Sequence, residues 1–510
     1  MKMTEQFFRY SALDSACMVE IYEKFWPQLQ EEGYDRTYKM TIDLLPVLSF
    51  MQYRGMRVSH DLLQETKREV LEAAANKQQE LDRLVGHPLN VNSSKQCQQY
   101  FYVELGLPPI YKAKSKQVTT DDQALQRLVR GTAKQAGLRQ AKLVQEIRGL
   151  QKLYGTYLNI AFDEDNRLRG AYNPRGTKFG RLSSSKTVFD TGMNYQNLPQ
   201  EFKKFLVADE DYVLVEVDKR QAEWVVVAYF SNDANMIQAI ESGVDVHSYT
   251  ASRMFDLPVE VVVYENKVVG HETNADKIHS LRMDDEALRK LYTPKWPRTM
   301  SLRQCGKKSN HGLNYDEGYM NFALINEMDQ GEAKKVIAMY HEIYPGIQKS
   351  YEVIKRQLQK DRTLSNCFGR KVRFLGEWGN DLWKSSYSMI PQSTVVDSLN
   401  QGMVRIYNDT WITRILNVDI LAQVHDSILM QVPIEVARDR QTFDNFLQKV
   451  YDYTSPTLSY NGNDFKIATD AKVGMNWGGL DKQSNKVGMR DYHTYNDMAL
   501  LLEQTNGSGT

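Results

Sequence analysis

Four polar residues recur at four-residue spacing in one segment of the chain, where their side chains could bind an anion. They are Arg303, Lys307, His311 and Tyr315. A helix over residues 301–316 would carry all four on one slowly turning face. Two cations one turn apart can bind a polyanionic triphosphate, and the rings beyond them can stack on a base and a sugar. The segment therefore predicts a nucleotide-binding helix.

Two aspartates lie where carboxylates could meet a metal ion. Asp218 ends a valine-rich run that predicts a strand, and Asp426 lies between apolar runs at 420–424 and 428–432 that predict a tight hairpin. A lone aspartate at a strand end is more often a cap or turn residue. Two carboxylates brought together repel, and divalent cations relieve that repulsion. A carboxylate pair beside a triphosphate site predicts metal-assisted nucleotidyl transfer with two Mg²⁺ ions.

The motifs, taken in order, resemble those of the family A DNA polymerases, the bacterial DNA polymerase I group and its phage relatives. The resemblance runs from about residue 30 to about residue 480. It assigns Asp218 to the family's first palm motif and Asp426 to its third, so that both are the catalytic, metal-binding residues. The implied reaction is template-directed addition of deoxynucleoside monophosphates to a primer 3′ end during DNA replication.

The resemblance also implies which residues bind the incoming deoxynucleoside triphosphate (dNTP). Glu223 stands where the family has its sugar steric gate, which favours deoxyribonucleotides and hydrogen-bonds the tyrosine that Tyr315 matches. His247 stands in a segment that contacts the triphosphate, although a histidine on a helix is more often structural. The complete set is Gln221, Glu223, His247, Arg303, Lys307, His311 and Tyr315.

Further segments resemble those that hold primer–template DNA. Residues 177–185 and 194–199 match segments near the minor groove, and residues 388–393 match a helix that contacts the template strand. Arg181 would meet the minor-groove acceptors of the terminal base pair, which are nearly independent of sequence. The DNA-binding set comprises Lys178, Arg181, Asn197, Gln392, Gln423 and His425.

Four positions depart from the family pattern. His311 stands where the family has Phe or Tyr, Asp316 replaces a Gly, and Ser388 replaces an Asn. Ser427 replaces the Glu of the His-Asp-Glu motif. Two aspartates remain, and two suffice for chemistry with two metal ions.

The distribution of charge along the chain favours binding to nucleic acid, whereas the total charge does not. The chain has 64 basic and 64 acidic residues, so its formal net charge is zero. Residues 167–186 nevertheless contain six basic residues and no acidic one. A solvated basic loop is one interpretation, and contact with backbone phosphates is the sharper one.

The resemblance implies an α+β right-hand fold with a helical thumb, an antiparallel-sheet palm and helical fingers. Prolines at 258, 294 and 297 indicate an irregular segment over 258–300. The predicted regions are an exonuclease-like remnant (1–30), thumb and connecting helices (31–160), first palm part (161–230), fingers (231–380), second palm part (381–480) and a partly disordered C-terminal extension (481–510).

The first residues carry a fragment of another motif. Tyr10 and Asp14 resemble the last motif of the family's 3′–5′ exonuclease, whose earlier carboxylates would lie before Met1. A chance pair on a helix is one interpretation, and a polymerase cut or split within an exonuclease domain is the other. Beside primer–template DNA and dNTPs, a separate exonuclease polypeptide or other replisome proteins are therefore expected partners.

Composition predicts a cytoplasmic protein, in the host cytoplasm if the source is viral. No apolar run approaches the roughly 20 residues of a membrane span, so no membrane association is expected. The N-terminal residues lack a signal-peptide pattern. The four cysteines show no metal-binding or redox spacing, which suits a reducing compartment.

Two other functions remain open at this point. A single-subunit RNA polymerase would share the palm and a similar fingers helix, but Glu223 argues against it. A catalytically inactive DNA-binding subunit would not need Asp218 and Asp426 together with Arg303 and Lys307.

Overall fold

The computed structural model describes residues 5–112, 115–130, 138–481 and 483–506. Helices dominate, and strands from distant parts of the chain form one large sheet. The expected disorder of the last residues concerns 507–510, which lie outside the described residues. Residues 488–506, within the same predicted extension, form a strand and a helix.

The described residues up to 160 are mainly helical, with one short strand, β1 (Met56–Val58). The helices are α1 (Glu5–Glu31), α2 (Asp35–Asp43), α3 (Leu45–Arg54), α4 (His60–Val85), α5 (Ser94–Gln98), α6 (Asp122–Arg130) and α7 (Arg139–Lys152). Helix α1 has no buried residue, whereas α4 and α7 pack on each other around a small apolar core that includes Leu81 and Val144.

Strands prevail in the next segment. They are β2 (Arg167–Leu168), β3 (Ala171–Asn173), β4 (Ser183–Ser185), β5 (Leu206–Val207) and β6 (Tyr212–Lys219). Two helices accompany them, α8 (Gln200–Lys203) and α9 (Ala222–Ser231). Helix α9 is apolar on nearly every side and is buried over most of its length, as expected for a core helix.

Nine helices follow, with a small hairpin after them. The helices are α10 (Ala234–Glu241), α11 (Val246–Phe255), α12 (Val259–Val269), α13 (Ala275–Asp284), α14 (Glu286–Leu291), α15 (Leu302–Leu313), α16 (Tyr319–Ile325), α17 (Gln330–Ile343) and α18 (Pro345–Asp361). The hairpin strands are β7 (Thr363–Ser365) and β8 (Lys371–Arg373).

The prediction of an irregular segment over 258–300 was wrong, because α12, α13 and α14 lie within it. Pro258 is the N-cap residue of α12, and its φ of −57° suits a helix start. Proline is tolerated there because the first N–H groups of a helix have no partner within the helix. Pro294 and Pro297 lie after α14 and interrupt no helix.

The last part of the chain returns to the sheet. Its helices are α19 (Asn380–Asn408), α20 (Ile434–Arg438), α21 (Arg440–Thr454) and α22 (Tyr495–Asn506). Its strands are β9 (Asp419–Val424), β10 (Ser427–Pro433), β11 (Leu458–Tyr460), β12 (Asn463–Phe465), β13 (Thr469–Gly474), β14 (Asn476–Gly479) and β15 (Gly488–Tyr492).

The large sheet has nine strands in the order β2-β1-β5-β14-β15-β13-β6-β10-β9. Its pairs are antiparallel, as expected, except that β14 and β15 run parallel. Strand β6 lies between β10 and β13, with Asp218 opposite Ser427 on one side and opposite Asp470 on the other. The sheet register thus fixes what surrounds the first predicted catalytic aspartate.

Separate apolar clusters support the sheet and the helical region. The sheet cluster includes fully buried residues of β6 and β10, such as Val215 and Met430, together with residues of α19, α21 and α22. A second cluster joins α9 to α17, α18 and the start of α19. A small third cluster contains Leu302 at the start of α15 together with Trp296. Among the described residues, no helix has the length and apolar composition needed to cross a membrane.

Candidate active site

A pocket of about 540 Å³ opens between the end of β6 and helix α15. Its walls come from the sheet, from α9, from α11 and from α15. The lining includes predicted residues from both halves of the site: Asp218, Gln221, Glu223, His247, Arg303, Lys307, His311 and Asp426.

The two aspartates reach this pocket through the β9–β10 hairpin and strand β6. The hairpin turns over two residues, and His425 has a φ of 52°, in the left-handed region that such tight turns require. The Lys219 N–H donates to the Asp426 carbonyl oxygen at 3.2 Å, which ties the turn to β6. The predicted hairpin therefore places Asp426 beside the end of the strand that carries Asp218.

The electrostatic setting of these carboxylates favours a cation. Asp218 reaches solvent through the pocket mouth, but desolvation by the surrounding protein raises its pKa to about 6, with further increases from the charges of Glu216 and Asp426. Burial and the charge of Glu223 raise the pKa of Asp426. Carboxylates without a counter-ion repel one another, and a bound divalent ion stabilises such an arrangement.

The donor set fits Mg²⁺ in its chemistry. Asp426 Oδ1 is buried and has no hydrogen-bond partner among the described residues, and Mg²⁺ prefers oxygen ligands while keeping several waters. Within the described residues, no group of three or more His, Cys, Asp or Glu side chains is arranged to hold a metal ion. The carboxylates that line the pocket from the sheet side are those of Asp218, Asp426 and Asp470, of which Asp470 is paired with Arg220. Asp218 and Asp426 would hold the ions, with water and substrate oxygens completing the coordination.

Glu223 lies at the centre of a buried polar group on the other side of the pocket. The Tyr315 hydroxyl donates to its Oε2 at 2.6 Å, and Arg181 Nη2 donates to its Oε1 at 2.5 Å. His311 Nδ1 lies 4.0 Å from Oε2. Glu223 is thus held by Tyr315 and by Arg181. The expected helix over 301–316 ends at Leu313, so Tyr315 lies two residues beyond α15 and not on its face.

Helices α11 and α15 pack so closely that a glycine is required between them. A Cβ atom on Gly306 would lie 2.1 Å from the carbonyl oxygen of His247. Because α11 carries His247 and α15 carries the cationic face, this close approach fixes the two sets of side chains relative to each other.

His247 is a neutral hydrogen-bond donor in this arrangement. Burial lowers the pKa of His247 to about 3. Its Nδ1 lies 3.0 Å from Nδ2 of Asn310, and the same amide nitrogen lies 3.3 Å from the carbonyl oxygen of Val246. An amide nitrogen can only donate, so Nδ1 accepts and the ring proton sits on Nε2. That proton is available to a phosphate oxygen.

Arg303 is already paired in this conformation. Its Nε and Nη2 donate to Asp245 at 2.7 and 3.1 Å. Asp245 is also the N-cap of α11, where it accepts from Ser248. Burial raises the pKa of Asp245, but the hydrogen bonds and charge of Arg303 outweigh it, so the pKa lies below its ordinary value. Gln221 also reaches Asp245, at 3.4 Å.

Lys307 and His311 differ from Arg303 because they are exposed. Lys307 has no ion-pair or hydrogen-bond partner within the described ranges. Its ammonium group can therefore meet a triphosphate without first giving up a protein contact.

A buried ion pair supports the start of α15. Arg282 of α13 donates to Glu265 of α12 at 2.9 Å through Nε and to the Pro297 carbonyl at 2.6 Å. The second oxygen of Glu265 accepts the N–H of Leu302 at 2.9 Å. Both charged side chains are fully buried, so losing one partner would leave an uncompensated charge beneath α15.

The lining of the pocket contains none of the predicted DNA-binding residues, and these residues differ in exposure. Lys178 is exposed, with its ammonium 3.8 Å from the ring centre of Phe374. Asn197 is exposed and Gln392 half-buried. Gln423 is buried and donates to the His425 carbonyl at 2.7 Å, so its side chain supports the hairpin turn.

The basic run at 167–186 is only partly available to phosphates. Arg167 pairs with Asp209 at 2.8 Å, and Arg169 pairs with Asp163 at 2.7 Å and with Asp165 at 2.6 Å. These partners lie outside the run, so the absence of acids within it did not indicate free cations. For Arg167 and Arg169, contact with phosphates stays a prediction, and it would require these ion pairs to be exchanged.

Sequence reasoning missed the residues that position others. Asp245 lies two residues before His247, and its ion pair with Arg303 was not predicted. Asn310 and Glu216 were not singled out. Asn310 lies three residues after Lys307, on the side of α15 that faces His247, and that spacing was a usable signal.

The architecture and the site define a polymerase domain. The POL domain of Pol1 from M. smegmatis, solved in complex with DNA primer-template and dNTP, matches with a TM-score of 0.68 at 23% identity. The match covers 86% of this chain and 70% of that one. It confirms the predicted α+β polymerase fold.

The family follows from the sequence itself. The model of DNA polymerase family A matches residues 60–274 and 290–479, and the chain belongs to this family. All of α13 and the first residues of α14 fall between the two matched segments. The predicted family was therefore correct.

Curated relatives are bacterial DNA polymerases I. The thermostable enzyme of Thermus filiformis is 26% identical over 92% of this chain and 51% of its own length. The enzyme of Pseudomonas aeruginosa is 23% identical over 93% of this chain and 48% of its own length. The chain thus spans about half the length of these relatives.

Proposed function

We propose that this protein is a DNA-directed DNA polymerase that adds deoxynucleoside monophosphates to a primer 3′ end in DNA replication. The observation that supports this best is the single pocket that joins Asp218 and Asp426 to the cations of α15 and to the Glu223–Tyr315 pair. Its substrates would be primer–template DNA and dNTPs.

Each residue has a role that follows from its chemistry. Arg303, Lys307 and the Nε2–H of His247 would bind the triphosphate, while Asp218 and Asp426 would hold two Mg²⁺ ions. Bound Mg²⁺ would activate the primer 3′-hydroxyl and stabilise the leaving pyrophosphate. Arg303 would exchange its Asp245 contact for phosphate oxygens, because both offer the bidentate geometry that guanidinium prefers.

Glu223 favours DNA synthesis over RNA synthesis. Its carboxylate is held from two sides by Arg181 and Tyr315, so it cannot move away easily from a sugar that brings a 2′-hydroxyl. The alternative single-subunit RNA polymerase has no such need for a fixed carboxylate.

The same proposal assigns the parts of the chain to the thumb, palm and fingers of a polymerase. Residues 31–160 would form the thumb and connecting helices, 161–230 and 381–480 the palm, and 231–380 the fingers. Strand β6 and the β9–β10 hairpin, which carry the two aspartates, fall in the palm ranges, whereas strands β1 and β15 of the same sheet fall outside them. Helix α15 falls in the fingers. The four free cysteines suit work in a reducing cytoplasm.

The exonuclease-like pair on α1 is isolated from other carboxylates among the described residues. Tyr10 and Asp14 are exposed on α1, and neither has a carboxylate partner within the described residues. We expect the purified chain to leave a mismatched primer undegraded. Robust degradation that disappears on mutating residues of this chain would contradict this part of the proposal.

One primer-extension assay tests the activity. The full chain, a labelled primer–template and Mg²⁺ are incubated with dNTPs, with ribonucleotides or with neither. Templated extension with dNTPs alone supports the proposal. Extension with ribonucleotides would favour an RNA polymerase, and no extension despite tight duplex binding would favour an inactive DNA-binding subunit.

A further inference from the structure

Glu216 makes a hydrogen-bonded group with two distant residues beside the catalytic carboxylates. The Ser427 hydroxyl donates to Glu216 Oε1 at 3.0 Å, and the Trp477 indole N–H donates to the same oxygen at 3.0 Å. Within the described residues, the second oxygen of Glu216 has no hydrogen-bond partner. One oxygen is thus fixed, and the other is free to bind.

The sheet register directs this group towards the pocket end of β6. Glu216 and Asp218 are two residues apart on one strand, so their side chains share a face. Ser427 lies directly opposite Asp218 on the neighbouring strand. The contact from Ser427 to Glu216 is therefore a diagonal one on the face that carries the catalytic aspartate.

We propose that Glu216 is a positioning residue of the metal site, in which its free oxygen accepts hydrogen bonds from metal-bound water. It would replace the carboxylate that position 427 lacks, using Ser427 as the link. This inference rests on the proposed polymerase function. Mg²⁺ keeps several of its waters when bound to proteins, and outer carboxylates that orient such groups affect metal affinity strongly.

A purely structural role predicts different behaviour. If Glu216 served only to satisfy the Trp477 indole, an amide at position 216 would replace it, because the glutamine oxygen accepts the same two hydrogen bonds. The hydrogen bonds to Trp477 and Ser427 do not need the charge of Glu216, whereas binding to metal-bound water does. Glu216→Gln therefore separates the two roles while keeping shape and acceptor.

The experiment is a titration of Mn²⁺ into the full chain with primer–template bound, in which electron paramagnetic resonance measures free Mn²⁺. We expect Glu216→Gln to weaken Mn²⁺ binding by about tenfold, the lower range for such outer residues. The Mg²⁺ concentration for half-maximal extension should rise in parallel, with little change in the rate at saturating Mg²⁺.

Asp470→Asn is the matched control. Asp470 also lies opposite Asp218, on the other neighbouring strand. Its carboxylate is paired with Arg220 through two contacts, one of them at 2.9 Å. The Asp470 side chain is 48% exposed, so solvent screens its charge from the metal site. We expect its Mn²⁺ affinity to stay within about twofold of wild type.

A second variant tests whether the two positions are equivalent. Adding Ser427→Glu to Glu216→Gln returns a carboxylate to the same face, and Mn²⁺ affinity should recover. Thermal melting of each variant verifies its fold. If Glu216→Gln does not fold, the same titration is done on Glu216→Asp. Its shorter side chain moves the carboxylate away from the metal site while keeping the charge.

The outcomes separate this inference from the proposed function. If wild type extends no primer, the polymerase function fails whatever Glu216 does. If wild type extends primers while Glu216→Gln binds Mn²⁺ and responds to Mg²⁺ as wild type does, the role of Glu216 is overturned. Equal weakening in Asp470→Asn would also overturn it, since any negative charge on this face would then serve.

Discussion

The two walls of the pocket hold their charges in opposite ways. On the sheet, Asp218 and Asp426 are like charges with raised pKa values, held in place by strand pairing. On the helices, Arg303 is already neutralised by Asp245. The sheet wall therefore gains stability when a cation arrives, whereas the helix wall must exchange one anion for another.

This contrast teaches which half of the site depends on its ligand. A carboxylate pair without a counter-ion lowers the stability of the fold around it, and metal binding restores that stability. An arginine whose charge is already paired does not lower the stability of the fold. The helices can therefore stay folded with or without nucleotide. The following experiments test this difference.

Asp426→Ala should have the largest effect. It removes a metal ligand but few DNA contacts, so we expect primer extension to fall by at least 100-fold, about 3 kcal/mol in barrier, with duplex affinity retained. Single-turnover extension and a binding titration measure the two quantities. Asp464→Ala, at an exposed position of β12, is the control. If Asp426→Ala kept more than a few per cent of the wild-type rate, the assignment of Asp426 as a metal ligand would be contradicted.

Lys307→Ala should act on nucleotide binding from the helix wall. Losing a charge-assisted contact to phosphate costs roughly 1.5–3 kcal/mol, so the KM for dNTP should rise by between about 10-fold and 100-fold. Lys308→Ala is the matched control, because Lys308 is equally exposed on α15 but points away from the Arg303–Lys307 face. Equal KM changes in both variants would show that only general charge matters.

Asp218→Asn should stabilise the metal-free protein. The folded pKa of about 6 lies above the ordinary 3.8, so the charged carboxylate lowers the free energy of unfolding progressively as pH rises from about 4 to 6. Above that window the Asn variant should be more stable by about 1 kcal/mol, after allowance for solvent screening. Near pH 4 the variant and wild type should have the same free energy of unfolding.

Thermal melting with and without Mg²⁺ measures this effect. Saturating Mg²⁺ should stabilise wild type and reduce the difference in stability between the two proteins, because the variant binds the ion weakly. A variant less stable than wild type at about pH 8 without metal would contradict the view of the sheet wall as a strained pair.

His311 should have the smallest effect. Its exposed imidazole is smaller than a phenyl ring but can donate a hydrogen bond, as a tyrosine hydroxyl can. We expect wild type to discriminate against dideoxynucleotides at a level between those of His311→Phe and His311→Tyr. Competitive incorporation on one template measures this, and identical selectivity in all three would show that His311 only packs.

Local patterns predicted the elements that carry the chemistry. Alternating and apolar runs predicted the hairpin at 420–432 and the strand ending at Asp218, and four-residue spacing predicted α15, whose observed bounds are Leu302–Leu313. These elements are specified by neighbours in sequence, so periodicity was enough.

Contacts between distant segments could not be predicted in the same way. Arg303 meets Asp245 58 residues away, and Trp477 meets Glu216 261 residues away. The parallel pairing of β14 with β15 likewise depends on the assembled sheet. Such partners follow from tertiary packing, and one sequence read by spacing gives no signal for them.

The glycine between α11 and α15 has a consequence for altering this protein's substrate range. A side chain at Gly306 would collide with the His247 backbone, so this position on the inner face of α15 tolerates no larger residue. The outer face is different, since His311 is 59% exposed. A library aimed at unusual nucleotides would therefore be productive at His311 and would yield misfolded proteins at Gly306, five residues away on the same helix.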